Sequence, residues 1–189
     1  MSCDGNFKPN LKLIIITGQS ASGKSTFASF LKNNGFIVCE FSEFFNYVLG
    51  SYSTSPSNRL EAVIQYIESA GRNTYINQLI TWMENMNSIN NQLPLVLVGA
   101  RHPNDIKLLY EQTCIIEIIG ILSTKDSRMQ RILSRKRASD LYLNPELLVI
   151  PNSDIEECLN EYATIHIYNE GSVEDFESIA YSFALRFLS

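Results

Sequence analysis

The chain has 189 residues, 45% of them apolar and 19% charged, with a formal net charge of −5. That length and apolar content suffice for one complete core, and they argue against two ordinary domains or extensive disorder. The acidic balance makes a nucleic-acid partner unlikely, because such a binder would show a basic surplus, yet it leaves room for a local basic pocket.

The four cysteines, Cys3, Cys39, Cys114 and Cys158, are widely spaced and form no CxxC pair, and only His102 and His166 could help them hold a metal. Small buried thiols are the expectation rather than a zinc site. The opening "MSCDGNFKPN" lacks the charged start and apolar stretch of a signal peptide. No apolar run approaches the roughly 18 residues of a membrane span. The chain is therefore expected to be cytoplasmic, in a reducing setting, with no membrane partner.

In chain order, "LKLIIIT" (Leu11–Thr17) reads as a buried strand, and "KSTFASFLKNN" as a helix stopped by Gly35. "FIVCEF" (Phe36–Phe41) reads as a second strand, and "SEFFNYVLG" as a short helix with Ser42 as its cap. A Ser-rich loop, "SYSTSPSN", leads to a helical region from Arg59 to about Asn85 that breaks near Gly71. After the turn-like "NSINNQ", "LPLVLVG" (Leu93–Gly99) is a third apolar run, and Pro103 opens a helix to about Gln112. "CIIEIIGIL" is a fourth strand, the segment from Lys125 to Asp140 is polar and basic, "ATIHIY" (Ala163–Tyr168) is a fifth strand, and a helix closes the chain from about Val173. Strands apolar on both faces and separated by helices predict a parallel sheet covered on both sides, a three-layer α/β/α domain.

Between the first strand and the first helix lies "GQSASGKST", which matches G-x-x-x-x-G-K-[ST] at every fixed position. Gly18 and Gly23 permit positive φ and close backbone approach. The loop amides of Ser20, Ala21 and Ser22 then converge on phosphate oxygens, joined by Gly23, Lys24, Ser25 and Thr26 at the positive end of the helix. Lys24 is expected on the β- and γ-phosphates, and the Ser25 hydroxyl on Mg²⁺. The motif predicts a nucleoside triphosphate and Mg²⁺ as ligands but not what receives the phosphate; ATP is the expected donor if the chain is a kinase. The sequence has neither an N-K-x-D nor a D-x-x-G signature after the third strand, which argues against a GTPase switch.

"STKDSRMQRILSRKRASD" follows the fourth strand. In a helix, Arg128, Arg131 and Arg135 fall on one face, and Lys136 and Arg137 follow them. Transfer of a phosphoryl group depends on positioning and electrostatic stabilisation, which such a cluster can supply as a lid.

The order of these features resembles the P-loop nucleoside monophosphate kinase group, and most of all the archaeal-type uncharacterised kinases related to adenylate kinase and dephospho-CoA kinase. Four places carry the likeness: "GQSASGKST", "FSEFF" after strand two, "VGARHPNDIKLL" after strand three, and "SRMQRILSRKR" with the later "IYNEGSVEDF". The resemblance implies one P-loop kinase domain over residues 1–189, with an acceptor-side helical insertion at about 42–90 and a lid at about 124–160. It implies that Glu43 orients the acceptor or acts through Mg²⁺ and water, and that Arg101 reaches the acceptor's phosphate. It also implies that Asn169, Gly171 and Ser172 border the adenine. Read as residues, Glu43 is equally a first-turn acid favoured by the helix dipole, and Ser172 with Asp175 equally a near capping box. Arg59 and Arg72 are further candidates for an acceptor phosphate, or members of a solvated face.

One position departs from the pattern. In the resembling kinases strand three ends in Asp-Gly-Arg, whereas "LVLVGAR" has Val98 at the acid's place. Glu43 could supply the missing carboxylate through water, Asp105 could do so from the next helix, or the chain could bind nucleotide and transfer phosphate poorly. The expected activity is an ATP-dependent phosphotransferase acting on a nucleotide or nucleotide-like phosphate. Dephospho-CoA kinase, or a nucleotide-binding regulatory protein, is the alternative.

Overall fold

The computed structural model of the chain describes residues 11–50, 56–87, 92–135 and 152–188, the side chains of residues 56–60 and of Arg135 excepted. Five strands form one sheet in the order β2-β3-β1-β4-β5, every neighbouring pair parallel. They are β1 (Lys12–Thr17), β2 (Val38–Glu40), β3 (Leu95–Val98), β4 (Cys114–Leu122) and β5 (Ile165–Tyr168).

The apolar runs are continuous because successive side chains face opposite, equally dry sides. Leu13 and Ile15 of β1 enter one core cluster and Ile14 and Ile16 the other, and all four are fully buried. Each such side chain contributes about 1.5–3 kcal/mol of burial. On one face, α1 (Lys24–Asn33) and the C-terminal helix α8 (Val173–Leu188) interlock through Phe27, whose ring lies 5.4 Å from Phe176 and 6.2 Å from Phe183. On the other lie α4 (Arg72–Met86) and α5 (Pro103–Gln112), packed with α2 (Phe41–Leu49) through Phe44, Tyr75 and Trp82. Helix α3 (Pro56–Ala70) packs beside α4 and is separated from it by Gly71 at φ 83°. Helix α6 (Lys125–Arg135) follows β4, and α7 (Ser153–Glu157) runs into a π-helical turn at Cys158–Tyr162.

The three-layer expectation holds, and α5, β4 and α8 occupy the predicted segments. The second strand is shorter than predicted, because β2 pairs only along Val96–Val98 and the chain turns into α2 at Phe41. The cap of α2 is also corrected. Strand and helix abut, so Glu40 rather than Ser42 is the cap; its carboxylate accepts from the third helical amide while Glu43 reaches back to the Glu40 amide. Residues 51–55 of the Ser-rich loop and residues 136–151 of the expected lid, Lys136 and Arg137 among them, lie outside the described residues, while Pro56–Asn58 of that loop already belong to α3.

All strands point their carboxyl ends toward the same edge. Residues 18–23, Gly99–His102, Ser123 and Asn169–Ser172 follow those ends, Glu40 is the last residue of β2, and β1 sits between β3 and β4 where the connections diverge. Open parallel sheets bind ligands at such an edge.

Candidate phosphate-binding site

The loop from Gly18 to Gly23 turns tightly enough to need three positive φ values: 145° at Gly18, 59° at Ala21 and 108° at Gly23. Two of these places admit no side chain. A Cβ on Gly18 would fall 2.4 Å from the Ile121 carbonyl oxygen, and one on Gly23 would fall 2.2 Å from Asn169 Nδ2. Ala21 holds the left-handed conformation despite its Cβ, a strained state of the kind stored at functional sites.

Helix α1 starts directly behind this loop and has an open N-terminus. Its cap residue is Gly23, which supplies no side-chain cap bond, and the first turn holds no acid. The first intrahelical bond runs from the Phe27 amide to the Gly23 carbonyl, 3.0 Å, so the amides of Ser25 and Thr26 have no acceptor within the helix. By contrast, side chains of Glu40, His102 and Asn152 close α2, α5 and α7. An uncapped helix end with converging amides is a site for an anion. Lys24 Nζ donates to the carbonyls of Gly18 (2.7 Å) and Gln19 (2.8 Å), which folds the ammonium back over the loop. Ser25 and Thr26 are exposed at its mouth, and the Ser22 hydroxyl is buried with no hydrogen-bond partner among the described residues. These donors fit the phosphates of a nucleoside triphosphate, and the exposed Ser25 hydroxyl fits Mg²⁺.

Side chains from distant segments brace the loop. Arg131 of α6 donates to the Asn169 carbonyl (2.6 Å), to Ser123 Oγ (2.8 Å) and to the Ala21 carbonyl (3.3 Å). Asn169 Nδ2 donates to the Ser22 carbonyl at 2.8 Å in a buried position. Gln19 exchanges two 3.3 Å bonds with the backbone of Asn152, which caps α7. Arg128 lies one helical turn before Arg131 and is only 4% exposed; desolvation lowers its pKa, and Glu156 opposes that shift. The predicted arginine helix therefore forms, with Arg128 and Arg131 turned inward, while the Arg135 side chain lies outside the described residues. Ser172 and Asp175 form the reciprocal cap of α8, with Ser172 Oγ donating to Asp175 Oδ2 at 2.8 Å and the Asp175 amide donating to Ser172 Oγ at 3.1 Å. Gly171 is exposed beside them.

On the acceptor side, Val98 is buried in β3 and faces Glu40 of β2 in register. Glu43 is exposed, and its carboxylate is turned back to the Glu40 amide at 3.4 Å. Arg101 follows β3; its surface is exposed, yet crowding by neighbouring atoms lowers its pKa by desolvation. Arg72 does not stand free for an acceptor. Its Nη1 binds Asp105 Oδ1 at 2.5 Å and ties α4 to α5. Burial raises the Asp105 pKa, and the Arg72 guanidinium only partly offsets this. Asp105 is thus held as a partner of Arg72. His102 Nδ1 accepts from the Asn104 amide at 3.1 Å and caps α5. The Arg59 side chain lies outside the described residues.

Several solved structures share this layout. A sugar kinase from Janibacter sp. HTCC2649 matches with a TM-score of 0.60 at 14% identity, over 94% of this chain and 95% of that one. The fold is that of the P-loop small-molecule kinases. Shikimate kinase from Acinetobacter baumannii, in complex with shikimate, matches at a TM-score of 0.55 and 18% identity over 94% and 95% of the two chains. Deoxyadenosine kinase from M. mycoides, with products dCMP and dCDP bound, matches at 0.51 and 16% identity over 92% and 99%. No protein-family model matches the chain, and no curated protein is similar enough to match it. Identities this low make the likeness one of fold, so the roles of individual residues rest on this chain's own geometry.

Sequence reasoning missed Glu40, Glu170 and the Gln19–Asn152 exchange. An acid ending a strand at the ligand edge is a signal for Glu40. Nothing in the sequence pairs Gln19 with Asn152, which lie 133 positions apart.

Proposed function

We propose that the chain is an ATP-dependent phosphotransferase that moves the γ-phosphoryl group of ATP to a small-molecule acceptor. The supporting observation is the uncapped end of α1 with Lys24 folded over the loop carbonyls, braced by an inward-facing arginine helix. When bound, ATP supplies the phosphoryl group and Mg²⁺ neutralises its charge. The amides of residues 18–25 with Lys24 hold the phosphates, and Ser25 holds the metal ion. Arg128, Arg131 and Arg135 carry positive charge to the transferring group and, with the lid at about 124–160, exclude water so that hydrolysis does not compete.

Glu40 is the first choice for the acid that Val98 lacks. It is the register neighbour of Val98 on β2, and Glu43, one turn into α2, is the second choice. The helical region at about 42–90 covers the acceptor, and Arg101 meets its anionic group, in the first instance a phosphate of a nucleotide-like molecule. The adenine lies against Asn169, Gly171 and Ser172. A reducing cytoplasm suits the buried thiols of Cys39 and Cys158; burial, and to a lesser degree Glu43, pushes the Cys39 pKa up to about 12.

A second reading, nucleotide-binding regulation with little turnover, is favoured by one observation: Val98 is buried where the acid would be. ADP formation decides between them. The acceptors to screen are nucleoside monophosphates, dephospho-CoA, deoxynucleosides and the hydroxy acids shikimate and gluconate. Stimulation that Lys24→Ala abolishes supports transfer, and tight ATP binding with no acceptor-stimulated turnover supports regulation.

A further inference from the structure

Residues Asn169 and Glu170 follow β5 and grip two different parts of the site. Asn169 holds the phosphate loop through the Ser22 carbonyl. Glu170 holds the start of α6. One carboxylate oxygen accepts from the Thr124 amide at 2.5 Å; the other accepts from Ser127 Oγ at 2.6 Å and from Thr124 Oγ1 at 3.1 Å. We propose that Glu170 is a positioning residue that fixes the first turn of α6, and with it the orientation in which Arg128 and Arg131 meet a bound triphosphate. This rests on the phosphotransferase reading.

The geometry supports the role in three ways. Thr124 is the cap of α6: its hydroxyl accepts from the Ser127 amide (3.3 Å) and its carbonyl from the Arg128 amide (3.1 Å). Thr124 and Ser127 lie three apart and share one face of the turn, so a carboxylate bound to both fixes rotation as well as position. A negative charge is also favoured at a helix N-terminus. Second, α6 is held again by the neighbouring residue, because Arg131 donates to the Asn169 carbonyl at 2.6 Å. The two holds are about one turn apart, roughly 6 Å along the axis. Two holds on one helix set an axis, whereas a single hold leaves a pivot. Third, Glu170 is exposed and adds nothing to the core, and its hydrogen bonds lower its pKa to about 2, so the grip persists at neutral pH.

A grip on α6 affects the terminal phosphate more than the two inner ones, which the loop amides hold. ATP and ADP affinities therefore separate a positioning role from a merely structural one. The test measures both by calorimetry with Mg²⁺ for the wild type, Glu170→Ala, Glu170→Gln and Lys24→Ala, with melting temperatures alongside. Glu170→Ala should weaken ATP about fivefold or more and leave ADP within about twofold. Glu170→Gln keeps one acceptor oxygen and should fall between. In an Arg128→Ala background, Glu170→Ala should add little further loss for ATP. Equal losses for ATP and ADP, or full additivity with Arg128→Ala, would overturn the proposal. A wild-type chain that binds neither nucleotide overturns the phosphotransferase reading itself, a different outcome from normal binding that ignores Glu170.

Discussion

Replacing Gly23 by alanine tests the cradle at its tightest point. The new Cβ would sit at φ 108° and 2.2 Å from Asn169 Nδ2, with Asn169 Cγ and Phe176 Cε1 both at 3.3 Å. Backbone strain of this kind costs about 1–3 kcal/mol. Asn169 must also swing away, which breaks its bond to the buried Ser22 carbonyl and costs about 1–3 kcal/mol more. A loss of about 3 kcal/mol lowers the melting temperature of a chain this long by roughly 6–12 °C. The two parts separate in a cycle. Asn169→Ala alone loses the bond, and Gly23→Ala/Asn169→Ala keeps the strain but not the clash, so the double variant should be more stable than the sum of the singles by at least about 0.5 kcal/mol. Thermal melting by circular dichroism reads each variant, and calorimetry with ATP reads the loop. If Gly23→Ala melts within about 2 °C of the wild type, a shift under about 1 kcal/mol, and binds ATP unchanged, the account of this loop is wrong.

Further outcomes follow from the same geometry. Glu40→Gln should impair Mg²⁺-dependent turnover more than Glu43→Gln does, measured as the Mg²⁺ concentration for half-maximal rate; the reverse order would move the missing acid to α2. Glu170 has a depressed pKa, so the stability it adds is present above the ordinary glutamate range and is lost as pH falls toward about 2. The wild type should therefore exceed Glu170→Gln in urea melts at pH 7, and the gap should close on acidification. Asp105 has a raised pKa despite Arg72. Its contribution is greatest when it is protonated and declines as pH rises through that raised value, so Asp105→Asn should cost less at pH 7 than the roughly 3–5 kcal/mol of breaking an ordinary buried pair. A loss within that range would show that the ion pair outweighs its desolvation.

The layers of the fold were legible because β1, β3 and β4 are apolar on both faces, a pattern that only a sheet covered on both sides satisfies. Gly71 and Pro103 marked helix ends through backbone rules, and Ser172 through side-chain capping, all of which act locally. The phosphate loop was legible for the same reason: its glycines answer to their immediate turn. The Ser42 cap failed because β2 runs straight into α2, and spacing alone does not show which of two nearby polar residues meets the helix amides. Arg72 and Asp105, 33 positions apart, pair through the packing of α4 on α5. The braces from Arg131, Asn169 and Glu170 likewise depend on β4 and β5 lying side by side, which no stretch of sequence announces.

The central claim is that the loop at α1 holds a triphosphate for transfer. Its most direct test is ADP formation from ATP and Mg²⁺ across the acceptor panel, with wild type and Lys24→Ala side by side. The account predicts stimulation by at least one anionic acceptor and a loss of about a hundredfold or more in Lys24→Ala, the scale of removing one charge-stabilising group. Equal rates for the two proteins, or no ATP binding by the wild type, would contradict it.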